Sequence, residues 1–281
     1  MKNNMETKKF ALFTMCSDNL VEPCLTMLFS FLYNNEWFKQ EGDIIVLCDN
    51  NVCPLSDNNK QKFIDLYNDI KFINVDYEFY KPIIDYQENV IEAPWRFRPV
   101  SYKYEIFKDY GYDKHVFLDA DIIIKDNIKE LFYNSFNFGV CLDISYVMGL
   151  NRTNSVPNDN DMYFSSGVMV IGKSLMNDVI FNEIFNYIFK ITSDYNFKKP
   201  SSARGKFVDQ DILNEVMENC DIIPTEIYNC SPILLNKDNY MATKILHYCG
   251  TYKPWETNFE EYDLANMFFY KYDFFRKNNI K

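Results

Sequence analysis

Apolar positions along the chain gather into short unbroken runs, separated by polar turns and by stretches with helical spacing. Phe10–Met15 (FALFTM) and Asp43–Asp49 (DIIVLCD) are two such runs. Strands buried on both faces read this way, as continuous hydrophobic stretches rather than as alternations. After the first run, the polar turn Cys16-Ser17-Asp18-Asn19 leads into a helix predicted from Val21 to Tyr33. Asp18 or Asn19 is placed to cap it, and Pro23 falls in its first turn. Ser56 is placed to cap a second helix carrying Phe63, Ile64, Leu66 and Tyr67, and Ile70–Val75 reads as a third strand. Strand and helix alternating at this spacing predict a doubly wound α/β sheet, with ligands at the carboxyl ends of its strands.

Farther along, Glu78–Arg98 lacks a clean period and is expected to be an irregular aromatic crossing segment. Pro99 opens a predicted helix over Val100–Tyr110, closed by Gly111. Gly139–Leu142 and Ser166–Ile171 (SGVMVI) are further buried strands. Helices are expected up to about Ile191 and from about Val208 to Met217, with a mobile Asn-rich loop at Asn151–Asn160 and a second, polar loop at Ser193–Lys206. Lys244–Cys249 (KILHYC) alternates as a strand. Leu264, Phe268, Tyr272 and Phe275 stripe a C-terminal helix, within about 260–281, expected to pack on its own domain. With no repeat and no low-complexity linker, residues 1–281 are expected to form a single domain.

Composition narrows the function. A net charge of −11 argues against nucleic acid as a partner, which needs a basic face to release phosphate counterions. A small anionic ligand stays admissible, because a metal and a lysine or two make a local positive site in an acidic protein. The eight cysteines form no CxxC pair and no zinc-ribbon spacing. Met1–Phe10 is polar and charged, unlike a signal peptide, so reduced thiols and a cytoplasmic location are expected. The longest apolar stretch, Cys24–Tyr33, is far short of the roughly 20 residues that span a bilayer.

The chemistry centres on Lys114–Asp126 (KHVFLDADIIIKD). Two strand-forming runs flank Asp119-Ala120-Asp121, and unpaired carboxylates are too costly to bury in a core. In an extended chain, side chains at i and i+2 leave on one side. Asp119 and Asp121 can then converge on one hard divalent ion while Ala120 points away. The plainer reading is a solvated strand end where the aspartates begin a turn. Of the two histidines, His115 precedes a strand and is expected to be structural or exposed. His247 shares a strand face with Ile245 and Cys249, where a hydrogen-bonded core histidine is the usual reading. Gly250 and Lys253 follow it. A glycine admits a phosphate close to the backbone and a lysine supplies a point charge, so His247, Gly250 and Lys253 together suit a metal-bound diphosphate. Two acids and one imidazole favour Mn2+ over Mg2+.

FLDADIII, SSGVMVIG, VDQDILN and HYCGTYKPW, in that order, resemble glycosyltransferase family 8, the glycogenin-like and bacterial lipopolysaccharide glycosyltransferases. The resemblance runs from Phe10 to Trp255. It implies a GT-A fold, a Rossmann-like and mostly parallel central sheet flanked by helices. It also implies a retaining transfer of a hexose, glucose or galactose, from a UDP-sugar to a glycan or protein acceptor. Asp119, Asp121 and His247 would then hold Mn2+, Gly250 and Lys253 the diphosphate, and Lys103 the donor. Thr14, Cys16 and Asn19 correspond to the uridine-binding first strand. Asp209 and Gln210 match the pair beside the donor sugar, where a carboxylate orients hydroxyls and an amide supports an oxocarbenium-like state. Asp209 as a helix N-cap is the structural alternative. Asp143 is placed toward sugar or acceptor.

Two departures from the family pattern touch the sugar side: Ser165 stands where asparagine is common, and Lys206 falls where glycogenins tend to carry an acid. Tyr228 and Tyr240 do not match the spacing of the tyrosine that glycogenin glucosylates, so self-glucosylation has no support in the sequence. A homodimer is compatible with all of this. Two other functions compete. A DxD phosphatase or phosphotransferase would use its first aspartate as a nucleophile, usually on the first strand. A non-catalytic sugar-nucleotide or glycan-binding module would keep the fold and lose the turnover.

Overall fold

The computed structural model describes residues 8–89, 95–148, 162–193, 208–234, 240–249, 253 and 255. The apolar runs form strands: β1 Phe10–Met15, β2 Gly42–Cys48, β3 Lys71–Asn74, β4 Lys114–Leu118, β5 Ile122–Ile124, β6 Phe138–Leu142, β7 Phe164–Gly172, β8 Asp221–Ile223 and β9 Ile245–His247. Seven of them make one sheet in the order β3-β2-β1-β4-β7-β6-β8. Parallel pairing joins β1 to β2 and β4, β2 to β3, and β6 to β8. Only β7 runs the other way, between β4 and β6. The expected mostly parallel α/β sheet is therefore what the chain forms.

Every residue of β1, β2, β4 and β7 is buried, as a sheet covered on both faces requires. One face packs Phe13, Met15, Phe117 and Met169 against Tyr80, Tyr104 and Phe185. The other packs Leu12, Val46, Val116 and Leu118 against Leu28 and Phe31. Each such side chain contributes about 1.5–3 kcal/mol by leaving water. The helices Val21–Asn34, Asp57–Leu66, Asp178–Ser193 and Val208–Val216 lie close to their expected bounds.

Three expectations need correction. Glu78–Arg98 is not irregular throughout, because Tyr77–Asn89 is a helix that buries Tyr80, Ile83, Ile84 and Gln87 on one face. Pro82 inside it obscures that spacing, since proline removes a backbone donor and disfavours helix interiors. The helix expected from Pro99 is instead a 3-10 run, Trp95–Phe107. Residues 101–107 of this run are buried all round, so no solvent-facing stripe marks the period, and its charged members Lys103 and Glu105 are paired inside. Asp18 and Asn19 do not cap the helix from Val21, because a 3-10 turn, Asp18–Leu20, intervenes. Asp18 reaches across to the next loop and accepts from the Ser56 backbone N–H and hydroxyl at 2.8 and 3.0 Å, and from Asn59 at 2.8 Å. Ser56 does sit at the start of its helix, but its hydroxyl serves Asp18. The loops at Asn151–Asn160 and Ser193–Lys206, for all but Ser193, and the striped C-terminal helix lie outside the described residues.

The strand order reverses at β1. From it, β2 and β3 step out on one side and β4 on the other. In open α/β sheets the crevice at such a switch point, beyond the carboxyl ends of the strands, takes the ligand. Thr14 and Cys16 stand at that end of β1, and Asp119 follows β4 directly.

Candidate functional site

The chain between β4 and β5 turns at Ala120 and Asp121 instead of continuing extended. The two aspartates therefore meet by a different route from the one their spacing suggests. Asp119 is anchored as β4 ends, its backbone N–H donating to the Gly167 carbonyl at 3.0 Å. Asp121 is held through β5, which pairs antiparallel with β9 and sets Ile122 opposite His247. Its carbonyl accepts from the Tyr248 N–H at 3.0 Å. Ala120 turns into the core, 9% exposed.

This pairing brings His247 to the acids. Nε2 of His247 lies 3.1 Å from Oδ1 of Asp121 and 3.8 Å from Oδ2 of Asp119. One ligand atom from each of Asp119, Asp121 and His247 lies within 4.8 Å of the others. Two carboxylates and a neutral imidazole around one point suit a divalent cation, so the residues present fit a metal. Burial pushes the Asp121 carboxyl up, but the neighbouring His247 and Lys253 outweigh it and hold the group well below the usual carboxylate range. Burial raises Asp119, and the charges of Asp121 and Asp209 add to it against Lys103 and His247. Acids so placed favour an added cation.

Lys103 projects from the buried 3-10 run into the same region, and its side chain is 2% exposed. Nζ lies 2.6 Å from Oδ2 of Asp209 and 3.4 Å from Oδ1 of Asp119, and it donates to the Ser166 hydroxyl at 3.1 Å. Burial pulls the lysine pKa down, but the two carboxylates outweigh it and the net shift is upward. One buried cation thus ties the acid after β4 to the acid that opens the helix Val208–Val216. Asp209 is not spent as an N-cap: its Oδ2 accepts from Lys103 and, at 2.7 Å, from the Ser166 hydroxyl. Gln210 next to it donates to Oδ2 of Asp143 at 3.0 Å and accepts from the Ser166 N–H at 3.2 Å. Asp143 itself follows β6, and the Ser165 hydroxyl accepts from the Gly167 N–H at 3.3 Å.

Lys253 meets Asp121, donating to its Oδ2 and to the Tyr248 carbonyl, the latter at 2.7 Å. Gly250 lies outside the described residues. Thr14 is fully buried, and its hydroxyl finds no hydrogen-bond partner among the described residues. Burial pushes the Cys16 thiol up, and it donates to the Ser17 carbonyl. Asn19 is exposed in the 3-10 turn. These three line the end of β1 and stand outside the hydrogen-bonded group around Lys103. His115 is neither exposed nor a ligand: its Nδ1 meets the Ile106 carbonyl at 2.7 Å, tying the buried 3-10 run to β4.

Residues that sequence reasoning passed over complete the group. Ser166 joins Lys103 to Asp209, and Gly167 gives His247 its room: a Cβ there would stand 2.3 Å from Cε1 of the ring. Two serines and a glycine opening an otherwise apolar strand were the available signal. Asn229 meets Nδ1 of His247 at 2.7 Å, and no local pattern marks it.

A model of glycosyl transferase family 8 matches residues 13–258. The chain belongs to glycosyltransferase family 8. Its match to the lipopolysaccharide 1,2-glucosyltransferase of Escherichia coli is 30% identical over 190 residues, 60% of this chain and 53% of the relative. The inositol phosphorylceramide glucuronosyltransferase 1 of Arabidopsis thaliana is 28% identical over 180 residues, 58% of this chain and 30% of the relative. The family 8 chain thus spans about half or less of the length of the curated relatives it matches. Among solved structures, the galactosyltransferase LgtC aligns with a TM-score of 0.67 at 16% identity, covering 95% of each chain. The glycosyltransferase GlyE of Streptococcus pneumoniae aligns at 0.59 and 15% identity, over 96% of this chain and 63% of the other. These likenesses establish the GT-A fold. Within the described residues, no helix is long and apolar enough to cross a membrane.

Proposed function

We propose that this family 8 chain is a Mn2+-dependent retaining glycosyltransferase, moving glucose or galactose from a UDP-sugar to a glycan or protein acceptor. The observation that carries the reading is the convergence of Asp119, Asp121 and His247 from β4, the turn after it and β9. A metal held there would act as a Lewis acid, neutralising a diphosphate as UDP leaves. Retention and the UDP-hexose are what the family implies.

The residues around that centre have work that fits the reading. Lys253 reaches Asp121, and its ammonium could supply a point charge to phosphate oxygens. Lys103 holds Asp209 by a 2.6 Å ion pair. That carboxylate keeps one orientation and can accept from sugar hydroxyls. The Gln210 amide, braced by Asp143 and the Ser166 N–H, is a fixed dipole near the sugar that costs little reorganisation during transfer. Thr14, Cys16 and Asn19 at the end of β1 are assigned to the uridine, Ser165 and Asp143 to the sugar or acceptor, and Gly250 to the diphosphate. A single domain over 1–281 belongs to the same proposal.

The test is to incubate the protein with UDP-glucose or UDP-galactose, with and without Mn2+, and follow UDP release. Metal-dependent release that Asp121→Asn and His247→Ala abolish is the expected result. Phosphate release from phosphomonoesters would support the phosphotransferase reading instead. Nucleotide binding without turnover, with candidate acceptors present, would leave the binding module. The phosphotransferase reading already fits poorly, because the aspartates follow β4 and not the first strand.

A further inference from the structure

A neutral imidazole carries one proton, so it can offer a lone pair to a cation from only one of its nitrogens. In this site His247 faces oxygen on both sides: Asp121 Oδ1 is 3.1 Å from Nε2, and Asn229 Oδ1 is 2.7 Å from Nδ1. If the proton sits on Nε2, it points at Asp121 and the ligand face is closed. If it sits on Nδ1, it is donated to Asn229, and Nε2 presents its lone pair between the two aspartates. The choice of tautomer is thus the choice between a spent histidine and a metal ligand. Nothing in the sequence around His247 makes that choice.

We propose that Asn229 is a positioning residue that makes His247 a metal ligand, by accepting a hydrogen bond from Nδ1–H and fixing the ring against Gly167. The inference rests on the metal reading given above. Asn229 is well placed for it, because the backbone around it is tied to the strand it serves. Its N–H donates to the Thr225 carbonyl at 2.9 Å. The next residue, Cys230, bridges to Leu246 of β9, donates to the Ile245 carbonyl at 3.1 Å and accepts from the His247 N–H at 3.0 Å. The amide and the imidazole are therefore set by one small hydrogen-bonded unit, and Asn229 is 6% exposed within it. Gly167 closes another side: a Cβ there would lie 2.3 Å from Cε1, 2.9 Å from Nδ1 and 3.0 Å from Oδ2 of Asp119. The ring cannot retreat toward β7, and its hydrogen bond to Asn229 prevents rotation about its long axis. A partner of this kind also raises the basicity of the ligating nitrogen.

The test measures Mn2+ binding directly, from the free-ion EPR signal, for the wild-type chain and for Asn229→Ala, Asn229→Asp and His247→Ala. Nitrogen modulation in pulsed EPR of the bound ion reports whether an imidazole ligates it. Asn229→Ala is expected to weaken Mn2+ binding by about 10- to 100-fold and to lose nitrogen modulation, as His247→Ala does. Asn229→Asp, which keeps an oxygen acceptor, is expected to restore both. Thermal unfolding without metal checks that each variant folds, and Asn229→Leu, of similar shape and without an acceptor, serves in place of Asn229→Ala if that variant does not. Wild-type affinity with full nitrogen modulation in Asn229→Ala or Asn229→Leu would overturn the inference alone. No Mn2+ binding by the wild-type chain would overturn the metal reading and the inference with it.

Discussion

Nε2 of His247 stands 3.1 Å from Oδ1 of Asp121, and strand pairing makes that contact. Register sets His247 against Ile122, the residue after Asp121, so the contact is built by a two-stranded sheet outside the large one. A cation bound there must stabilise the fold by mass action, about 2.7 kcal/mol when free Mn2+ is 100 times its dissociation constant. Thermal melts of the wild-type chain should rise with Mn2+ in steps that follow this relation. His247→Ala should melt at one temperature with or without the ion.

Lys103 is the cation that both Asp119 and Asp209 depend on, buried at 2% exposure. Lys103→Met leaves buried Asp209 and partly buried Asp119 with one partner fewer, and breaking a buried pair typically costs about 3–5 kcal/mol. Urea unfolding should register that loss. Adding Asp209→Leu removes the stranded charge and should recover part of it, which a double-mutant cycle reads out.

Gly167→Ala puts a methyl group where the His247 ring now lies, 2.3 Å from Cε1. The backbone of β7 and the ring compete for the space. The expected stability cost is about 1–3 kcal/mol, the usual size for overpacking. The ring should move off its position, so the Mn2+-dependent rise in melting temperature should shrink along with it.

Ser30, on the helix Val21–Asn34, holds β5 from behind: its hydroxyl accepts from the Ile124 N–H at 3.0 Å and donates to the Met27 carbonyl at 2.7 Å. Ser30→Ala strands a buried N–H of the strand that follows Asp121. A loss of about 1–3 kcal/mol is expected in urea unfolding.

His115 sets a pH dependence. Burial holds its pKa down from 6.5 to about 4, so the folded chain keeps the ring neutral against Ile106. Below about pH 6.5 the unfolded chain binds a proton that the folded chain refuses. The contribution is therefore complete above that pH and is lost as the pH falls toward 4. A shift of this size corresponds to about 3 kcal/mol. Between pH 7 and pH 4 the wild-type chain should lose about that much more stability than His115→Phe, by urea unfolding at each pH.

Much of this molecule was legible along the chain. Buried parallel strands must be apolar on both faces, so FALFTM, DIIVLCD and SGVMVI marked their strands without any knowledge of neighbours. The Asp119-Ala120-Asp121 step stood out because acids between two apolar runs demand a partner. Tyr77–Asn89 and Trp95–Phe107 were harder to read. Pro82 breaks the first period, and the second segment is buried on all sides and keeps no polar stripe. Asp18 looked like a helix cap because capping is a local habit, whereas its bonds to Ser56 and Asn59 join two loops far apart in sequence.

By itself, the sequence determined most of the buried strands and which residues, Asp119, Asp121, His247 and Lys253 among them, carry the chemistry to meet a cation or an anion. Local pattern suffices there, because periodicity and side-chain chemistry are carried by neighbouring residues. Only the tertiary structure decided how the acids meet: by a turn and the β5–β9 pairing, and not by an extended i, i+2 step. It alone joined Lys103 to Asp209, set Ser166 between them, and put Asn229 and Gly167 around the His247 ring. Those relations depend on register between distant strands and on space left by a missing Cβ. Neither has a signature in residues adjacent along the chain.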